Sequence, residues 1–340
     1  MYSAGVYQPG PPGRAARQAW GTPSHREPIL PLTWAARSIR APLDRALVSL
    51  GAAAAARRFN AGRTLILAYH NVLPDRARPV GDQPLHLSLA QFKAQLDLLE
   101  RLCDVVPLTD LGRASTSGRP RAAITFDDAY QGAVTAGVHA LVRRGLPAAI
   151  FVAPGVLNRA SFWWDEAALA TGSPVVPEDV RRVALEQLCG DGDAVRAALI
   201  RRGLTPDPGA LPEHARTATM DELHHAVSAP GITLGSHSWS HRNLARLAGP
   251  ELDAELRRPL EWLQQHFPKD SIPWLAYPYG LDAPGVHAAA RSAGYDAALR
   301  VTGGWLRRGE TPSFATPRSN IPAGMSLPRF ELRLSRFPWA

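Results

Sequence analysis

The stretch AAITFDDAYQGAVTAGVHALVRRGLPAAIFVA, residues 122–153, contains the unit that decides the fold. Its first part, AAITFDD (122–128), is an apolar strand that ends in two carboxylates, and its last part, PAAIFVA (147–153), is a second strand. Between them, QGAVTAGVHALVRR (131–144) is a predicted helix that ends at Gly145. A strand, a helix and a strand in this order indicate a parallel β-α-β unit.

The same alternation extends along the chain in both directions. Further predicted strands are TLILAYH (64–70), ITLGSHS (232–238), WLAYPYG (274–280) and YDAALRV (295–301), and further helices are LAQFKAQLDLLERL (89–102), residues 249–267 and APGVHAAARSAG (283–294). This order predicts an α/β fold with parallel strands. A helical stretch at about 164–228 interrupts it and is interpreted as an insertion into a domain of residues 61–340. Before that domain, residues 1–32 are basic, rich in Pro and Gly and predicted to be disordered, and residues 33–60 form a helical extension.

Composition and charge narrow the class of protein. The chain has 340 residues, of which 45% are hydrophobic, and no apolar run is long enough to span a membrane. The formal charge of +8 is scattered along the chain, which disfavours nucleic-acid binding. The Arg- and Ala-rich composition can reflect a GC-rich genome. The alternative is a basic surface that meets an anionic membrane or polymer. The helical extension could contact a membrane surface or pack on the main domain.

Cysteine usage and the N-terminus bear on the compartment. Cys103 and Cys189 are in no metal-binding or redox motif and are interpreted as two buried free thiols. The first 30 residues do not resemble a signal peptide. We therefore expect a location in the cytoplasm or at the cytoplasmic face of a membrane, with the oligomeric state left open.

Two polar clusters follow predicted strands, at the edge where parallel α/β proteins place active sites. The first is TFDDAY (125–130), in which Asp127 and Asp128 are adjacent. Neighbouring carboxylates are costly to keep ionised unless a cation or hydrogen bonds compensate. A turn at the strand end could bring both into one pocket, where one holds a metal and the other takes a proton from water. A solvated Asp-Asp turn is the alternative.

The second cluster is GSHSWSH (235–241), in which His237 and His241 are four residues apart. On a helical turn this spacing puts both imidazoles on one face, where they can hold one divalent ion. Two ordinary surface or core histidines are the alternative. Together the clusters supply two imidazoles, a carboxylate and a spare carboxylate, which is a recurrent hydrolytic or oxidative metal site.

These motifs resemble those of the polysaccharide deacetylase (NodB-homology, carbohydrate esterase) family. TFDDAY is similar to the first motif of that family, and His237-Ser238-x-x-His241 matches its HSxxH second motif. Further similar segments are LILAYHNV (65–72), FWWDE (162–166) and LAYPYG (275–280). The resemblance runs from about residue 60 to the C-terminus and implies a distorted (β/α) barrel with fewer than eight regular strands.

The resemblance also implies the roles of individual residues. One divalent metal, commonly zinc and sometimes cobalt or nickel, would be held by Asp128, His237 and His241. Asp127 would be the general base for a metal-activated water, and the backbone N–H of Tyr279 would stabilise the oxyanion.

Two departures from the family pattern bear on catalysis. The third motif often begins with an arginine that orients the base, and LAYPYG has none, so Arg318 in TPRSNI (316–321) is the candidate for that charge. The late Leu-x-His motif that supplies the general acid is absent. His70, at the end of the first strand, is the best substitute, and a structural, hydrogen-bonded histidine is the alternative.

Aromatic residues near the motifs suit the apolar faces of sugar rings. Core packing is favoured for Trp163 and Trp164, whereas Trp239, beside the histidines, is the best candidate for substrate contact. Asp165 could orient a group in the active site or lie on the surface.

The predicted function is removal of N-acetyl groups from a polysaccharide, an oligosaccharide or a lipid-linked sugar, in a setting such as exopolysaccharide synthesis. Such an enzyme is a hydrolase of carbon–nitrogen bonds in linear amides. A hydrolase of other amides or of O-acetyl esters would use the same residues. The alternative from another class is a degenerate, non-catalytic carbohydrate-binding protein, which the missing Leu-x-His motif favours and the intact metal motifs oppose.

Overall fold

The structure is a computed structural model that describes residues 33–60, 62–112, 117–307 and 309–337. The segment 1–32, predicted to be disordered, lies outside the described residues. The helical extension contains two helices, α1 (Thr33–Ser49) and α2 (Ala52–Phe59). They are separated by a turn at Leu50 and Gly51, in which Gly51 adopts a positive φ of 78°.

A parallel sheet of nine strands forms the centre of the domain. Its strands are β1 (Thr64–Tyr69), β4 (Asp104–Val105), β5 (Arg121–Phe126), β6 (Ala148–Val152), β7 (Ile232–Ser236), β8 (Ser271–Ala276), β9 (Ala297–Arg300), β10 (Thr316–Pro317) and β11 (Ser319–Asn320), while β2 (Asn71–Leu73) and β3 (His86–Ser88) form a separate pair. The order is β10-β9-β8-β7-β6-β5-β1-β11, and β4 pairs with β5. Both faces of such a sheet are covered, which explains why β1 and β5 are buried at every residue.

The two ends of the sheet meet, so that it nearly closes into a barrel. The strand β10 pairs with β9 at one end, and β11 pairs with β1 at the other. Only Arg318 separates β10 from β11 along the chain, so one short segment joins both ends of the sheet. This architecture is the predicted distorted (β/α) barrel: six strands have four or more residues, and those at the seam have two.

Helices surround the barrel. They are α3 (Leu89–Leu102), α4 (Val138–Val142), α5 (Trp163–Ala170), α6 (Glu178–Glu186), α7 (Gly192–Arg201), α8 (Met220–Val227), α9 (Gly249–His266), α10 (Pro284–Ala293) and α11 (Leu327–Leu334). The interrupting stretch consists of α5 to α8. The helix predicted at 131–144 includes a π-helical turn, Ala133–Gly137, before α4. No helix among the described residues is long and apolar enough to cross a membrane.

Alternate strand residues contribute to two separate apolar clusters. Ile66, Ala123 and Phe151 pack in one cluster inside the barrel, whereas Leu65 and Leu67 pack outward against the helices. This division follows from the two-residue period of a strand.

The prediction of two buried thiols is wrong for one of them. Cys103 is buried, and burial raises the pKa of its thiol to about 12. Cys189 is free but half-buried, because it lies in the turn between α6 and α7 of the helical insertion.

Gly235→Ala is expected to destabilise the barrel by about 1–3 kcal/mol. A Cβ at this position would lie 2.5 Å from Cε1 of the buried Phe151 and 3.2 Å from the carbonyl oxygen of Trp274. Gly285→Ala is the matched control, since its Cβ would enter open space at the start of α10. Urea unfolding measures both, and equal stability of the two variants would contradict this account of interior packing.

Candidate active site

The predicted site residues gather at the carboxyl end of the strands. His70 follows β1, Asp127 and Asp128 follow β5, His237 follows β7 and Tyr279 lies just after β8. These strands are parallel, so the segments that follow them open on the same rim of the barrel. The sequence prediction that these residues share one edge agrees with this arrangement.

Asp127 forms a buried, bidentate ion pair with Arg318. Its Oδ1 and Oδ2 atoms each lie 2.7 Å from one guanidinium nitrogen of Arg318. The same guanidinium donates to the hydroxyl of Thr125 at 3.0 Å, and Arg318 is fully buried inside the barrel. The arginine absent from LAYPYG is therefore replaced by one from the seam of the sheet.

Opposing effects set the protonation of Asp127. Burial, the largest single effect, raises the pKa of its carboxyl group, but the charge of Arg318, the nearby histidines and the hydrogen bonds from Arg318 together outweigh it. The net result is a lowered pKa, so Asp127 is ionised at neutral pH. Its stabilising contribution is therefore present at neutral pH and is lost only as the pH falls through this lowered value.

Asp128, His237 and His241 converge on one point. Oδ1 of Asp128 lies 3.0 Å from Nε2 of His241 and 3.4 Å from Nε2 of His237, and the two Nε2 atoms are 3.1 Å apart. All three residues are buried, and one ligand atom from each lies within 4.8 Å of the others. This is the only group of three such ligands among the described residues that has this geometry.

The chemistry of these atoms fits a divalent cation. The Nδ1–H of His237 donates to the carbonyl oxygen of Ala276 at 2.8 Å, so Nε2 of the neutral ring presents its lone pair to the centre. Oδ1 of Asp128 is buried and accepts no hydrogen bond. Buried acceptors that face one another are unfavourable without a positive charge between them. Asp128, His237 and His241 are therefore suited to hold a metal with positions open for other ligands.

The backbone conformation that brings the two histidines together differs from the predicted one. Residues 237–241 form an extended, bent segment rather than a helical turn. Ser238 and His241 both have positive φ angles, of 62° and 61°, and these folds bring the two rings together. The prediction that the histidines meet agrees with the structure, but the helical reason for it is wrong.

A carboxylate that the sequence analysis missed holds this segment in place. Glu255, on α9, is buried and accepts hydrogen bonds from the backbone N–H groups of Trp239 and Ser240 at 3.0 and 2.9 Å. It therefore anchors the turn between the two histidines. No local pattern marks Glu255, since it is one of several acidic residues on an ordinary amphipathic helix.

Asp165 lies behind the site rather than in contact with a substrate. It is fully buried, accepts the hydroxyl hydrogen of Tyr130 at 2.6 Å and faces Nε2 of His86 at 3.0 Å. Tyr130 in turn accepts from the indole N–H of Trp164, whose ring packs on His241 with centroids 4.8 Å apart. Asp165 thus positions aromatic groups around a candidate metal ligand, which agrees with the orienting role considered from the sequence, and its burial excludes the surface alternative.

The remaining aromatic candidates differ in burial. Trp163 and Trp164 are buried in the core, as predicted. Trp239 is half-buried, and the guanidinium of Arg258 covers its ring at 3.9 Å. Tyr279 has a positive φ of 60° and packs edge-on against His241, with centroids 4.6 Å apart.

His70 is half-buried at the end of β1. The backbone N–H of Asp127 donates to the carbonyl oxygen of Tyr69 at 2.9 Å, which places the segments that carry His70 and the two aspartates side by side. This position keeps the general-acid hypothesis open.

Comparisons with known proteins agree with this geometry. The family model described as "Polysaccharide deacetylase" matches residues 114–298, more than half of the chain. No curated protein sequence matches.

Solved structures share the fold at low identity. The deacetylase PplD of Streptococcus pyogenes, in complex with acetate, is 15% identical with a TM-score of 0.54, over 81% of this chain and 99% of that one. IcaB from Ammonifex degensii is 18% identical with a TM-score of 0.55, over 81% and 97%. A de-N-acetylase from Aggregatibacter actinomycetemcomitans is 16% identical with a TM-score of 0.54, over 80% and 99%. At such identities these likenesses establish the fold alone.

Arg318→Met is expected to destabilise the metal-free protein by about 3–5 kcal/mol, because it leaves the Asp127 carboxylate buried without a partner. The double variant Asp127→Asn, Arg318→Met removes both charges and should be more stable than Arg318→Met alone. Urea unfolding of the wild type, both single variants and the double variant measures the coupling. Additive losses would show that the pair has no energetic coupling.

Metal binding by the purified chain is expected at about one divalent ion per molecule. Asp128→Asn and His241→Ala should each weaken metal binding by more than about 100-fold. Removing a ligand costs more affinity than removing a group that only hydrogen-bonds to a ligand. His225→Ala is the control, because His225 is exposed on α8. Elemental analysis and calorimetric titration with Zn²⁺, Co²⁺ and Ni²⁺ provide the readout. A wild type that binds none of these ions would contradict the assignment.

Proposed function

Because this chain belongs to the polysaccharide deacetylase family, we propose that it is a metal-dependent hydrolase that removes N-acetyl groups from a polysaccharide, an oligosaccharide or a lipid-linked sugar. The observation that carries the proposal is the convergence of Asp128, His237 and His241 beside a second carboxylate, Asp127, that an arginine holds in place. Two relatives support the acetyl group as the target: one is described as a de-N-acetylase, and another holds acetate, the acid that deacetylation releases.

A divalent cation, which we propose to be Zn²⁺ with Co²⁺ or Ni²⁺ as alternatives, would supply Lewis acidity that activates a water and polarises the acetyl carbonyl. Asp128, His237 and His241 would hold it. The Ala276 carbonyl accepts a hydrogen bond from His237 and the Trp164 ring packs on His241, and these contacts keep the two imidazoles oriented.

Asp127 is proposed to accept the proton of the attacking water. An ionised carboxylate has about four acceptor positions, and Arg318 occupies two of them. The remaining positions are free for the water, while the bidentate pair keeps the carboxylate from rotating. Arg318 therefore acts as a positioning residue, and its charge keeps Asp127 in the deprotonated form that a base requires.

His70 is proposed to protonate the leaving nitrogen. Cleavage of the C–N bond leaves an amine that needs this proton, and acetate is the other product. His70 follows Tyr69, which pairs with Phe126 of the neighbouring strand β5, so it lies beside the segment that carries the aspartates. The backbone N–H of Tyr279 is proposed to stabilise the oxyanion, and the half-buried edge of Trp239 to contact the sugar.

Two other functions share part of this argument. A hydrolase of O-acetyl esters or of other amides would use the same residues, and only its substrates would differ. A non-catalytic carbohydrate-binding protein is favoured by the missing Leu-x-His motif. It does not explain the buried, arginine-paired Asp127, since sugar binding requires no ionised base beside a metal site. The cytoplasmic location stays a prediction from the sequence.

Acetate release from N-acetylated oligosaccharides tests the proposal, with O-acetylated sugars in parallel. Asp127→Asn is expected to lower the rate by about 10²–10⁴-fold while it retains metal, because Asp127 is not a ligand. Asp128→Asn should lose both activity and metal. His70→Gln should reduce the rate with metal binding unchanged.

Each possible result of these assays decides for or against one hypothesis. Ester cleavage without amide cleavage would favour the esterase. Glycan binding without any acetate release, in a metal-loaded wild type, would favour the non-catalytic protein. A His70→Gln enzyme at the wild-type rate would remove His70 from the mechanism, and unchanged activity in Arg318→Ala would do the same for Arg318.

A further inference from the structure

The outer face of the helical hairpin α1–α2 exposes large apolar side chains. Leu50 is 82% exposed and Phe59 is 86% exposed, which are the two highest values for large hydrophobic residues in the described part of the chain. Leu43 is 49% exposed on the same hairpin. Single exposed apolar residues are ordinary, but three within 17 positions form a group that needs a separate explanation.

These side chains follow helical spacing on the outer face. Leu43, Ala46 and Leu50 are at positions i, i+3 and i+7, and all three are exposed. On α2, Ala55 and Phe59 are four residues apart and also exposed. The hairpin therefore presents two apolar stripes to solvent, one on each helix.

The inner face already accounts for the attachment of the hairpin to the domain. Helix α1 packs against α11, and Ala53 of α2 is buried. The buried Asp44 faces Arg329, and Arg57 donates to Glu331 and Ser335. The outer apolar residues are thus not required for packing on the main domain.

The charge of this hairpin is one-sided. Residues 33–63 contain six arginines and a single acidic residue, Asp44. Because Asp44 is buried and paired, it does not offset the positive charge of the outer face. Arg45 and Arg58 are exposed there and form no ion pair within the described ranges. Apolar side chains flanked by exposed arginines fit a surface with an apolar interior and anionic groups at its boundary.

We propose that the outer face of α1–α2 docks the protein on an anionic lipid bilayer. Leu43, Leu50 and Phe59 would enter the boundary between head groups and acyl chains, with α1 and α2 lying along the surface. Arg45 and Arg58 would contact the lipid phosphates. This binding is independent of the hydrolytic reaction, so it can be measured without a glycan substrate and stands or falls separately from the proposed function.

Sedimentation with vesicles tests the proposal on the full chain. We expect binding to vesicles that contain phosphatidylglycerol, much weaker binding to pure phosphatidylcholine, and a decrease with salt. The double variant Leu50→Ser, Phe59→Ser should lose at least about tenfold in affinity. Arg45→Gln and Arg58→Gln should each lose about fivefold at low salt.

Ile200→Ser provides the matched control, since Ile200 is a large apolar residue, 63% exposed, on α7. It should bind as the wild type does, and thermal melting should show that all variants are folded. Three outcomes would overturn the proposal. The first is that the wild type does not bind vesicles, and the second is that Ile200→Ser loses as much affinity as the double variant. The third is that the wild type forms a dimer in solution which the double variant Leu50→Ser, Phe59→Ser dissociates. This third result would assign the face to a second copy of the chain.

Discussion

The buried ion pair between Arg318 and Asp127 is the constraint on which the rest of the site depends. Arg318 lies between β10 and β11, which are the strands at the two ends of the sheet. Asp127 directly follows the central strand β5. Their bidentate contact therefore links the closure of the barrel to the position of the Asp127 carboxylate, the proposed base. A charged group can occupy the interior of this apolar barrel because the Asp127 carboxylate compensates the charge of Arg318 and the hydroxyl of Thr125 accepts a further hydrogen bond from it.

Backbone strain is concentrated around the same centre. Five of the ten described non-glycine residues with positive φ lie in the three loops that carry the site, namely Asp128, Ala129, Ser238, His241 and Tyr279. Such conformations cost about 1–3 kcal/mol each and persist only where surrounding contacts determine them. The contacts of Glu255 with the histidine segment are one example of that support. The site thus consists of rigid loops that packing and hydrogen bonds hold in unfavourable shapes.

Local patterns in the sequence predicted much of this molecule. The alternation of strands and helices indicated the barrel, and polar residues at strand ends indicated Asp127, Asp128 and the histidines. The remaining features depend on contacts between residues far apart in the chain. The closure of the sheet around Arg318, the anchoring role of Glu255 and the burial of Asp165 follow from tertiary packing, which no local spacing encodes.

The position of Arg318 near the end of the chain also governs the order in which the active centre is assembled during synthesis. Arg318 follows Asp127 by 191 residues. At about 5–20 residues per second, Asp127 is synthesised roughly 10–40 s before its counter-charge. Until Ser319 and Asn320 are made as well, β1 lacks its neighbour β11 and the barrel has an open edge. A nascent chain of this protein therefore carries its aspartates and histidines long before it can form a complete site, and truncated products that lack β11 remain open at that edge.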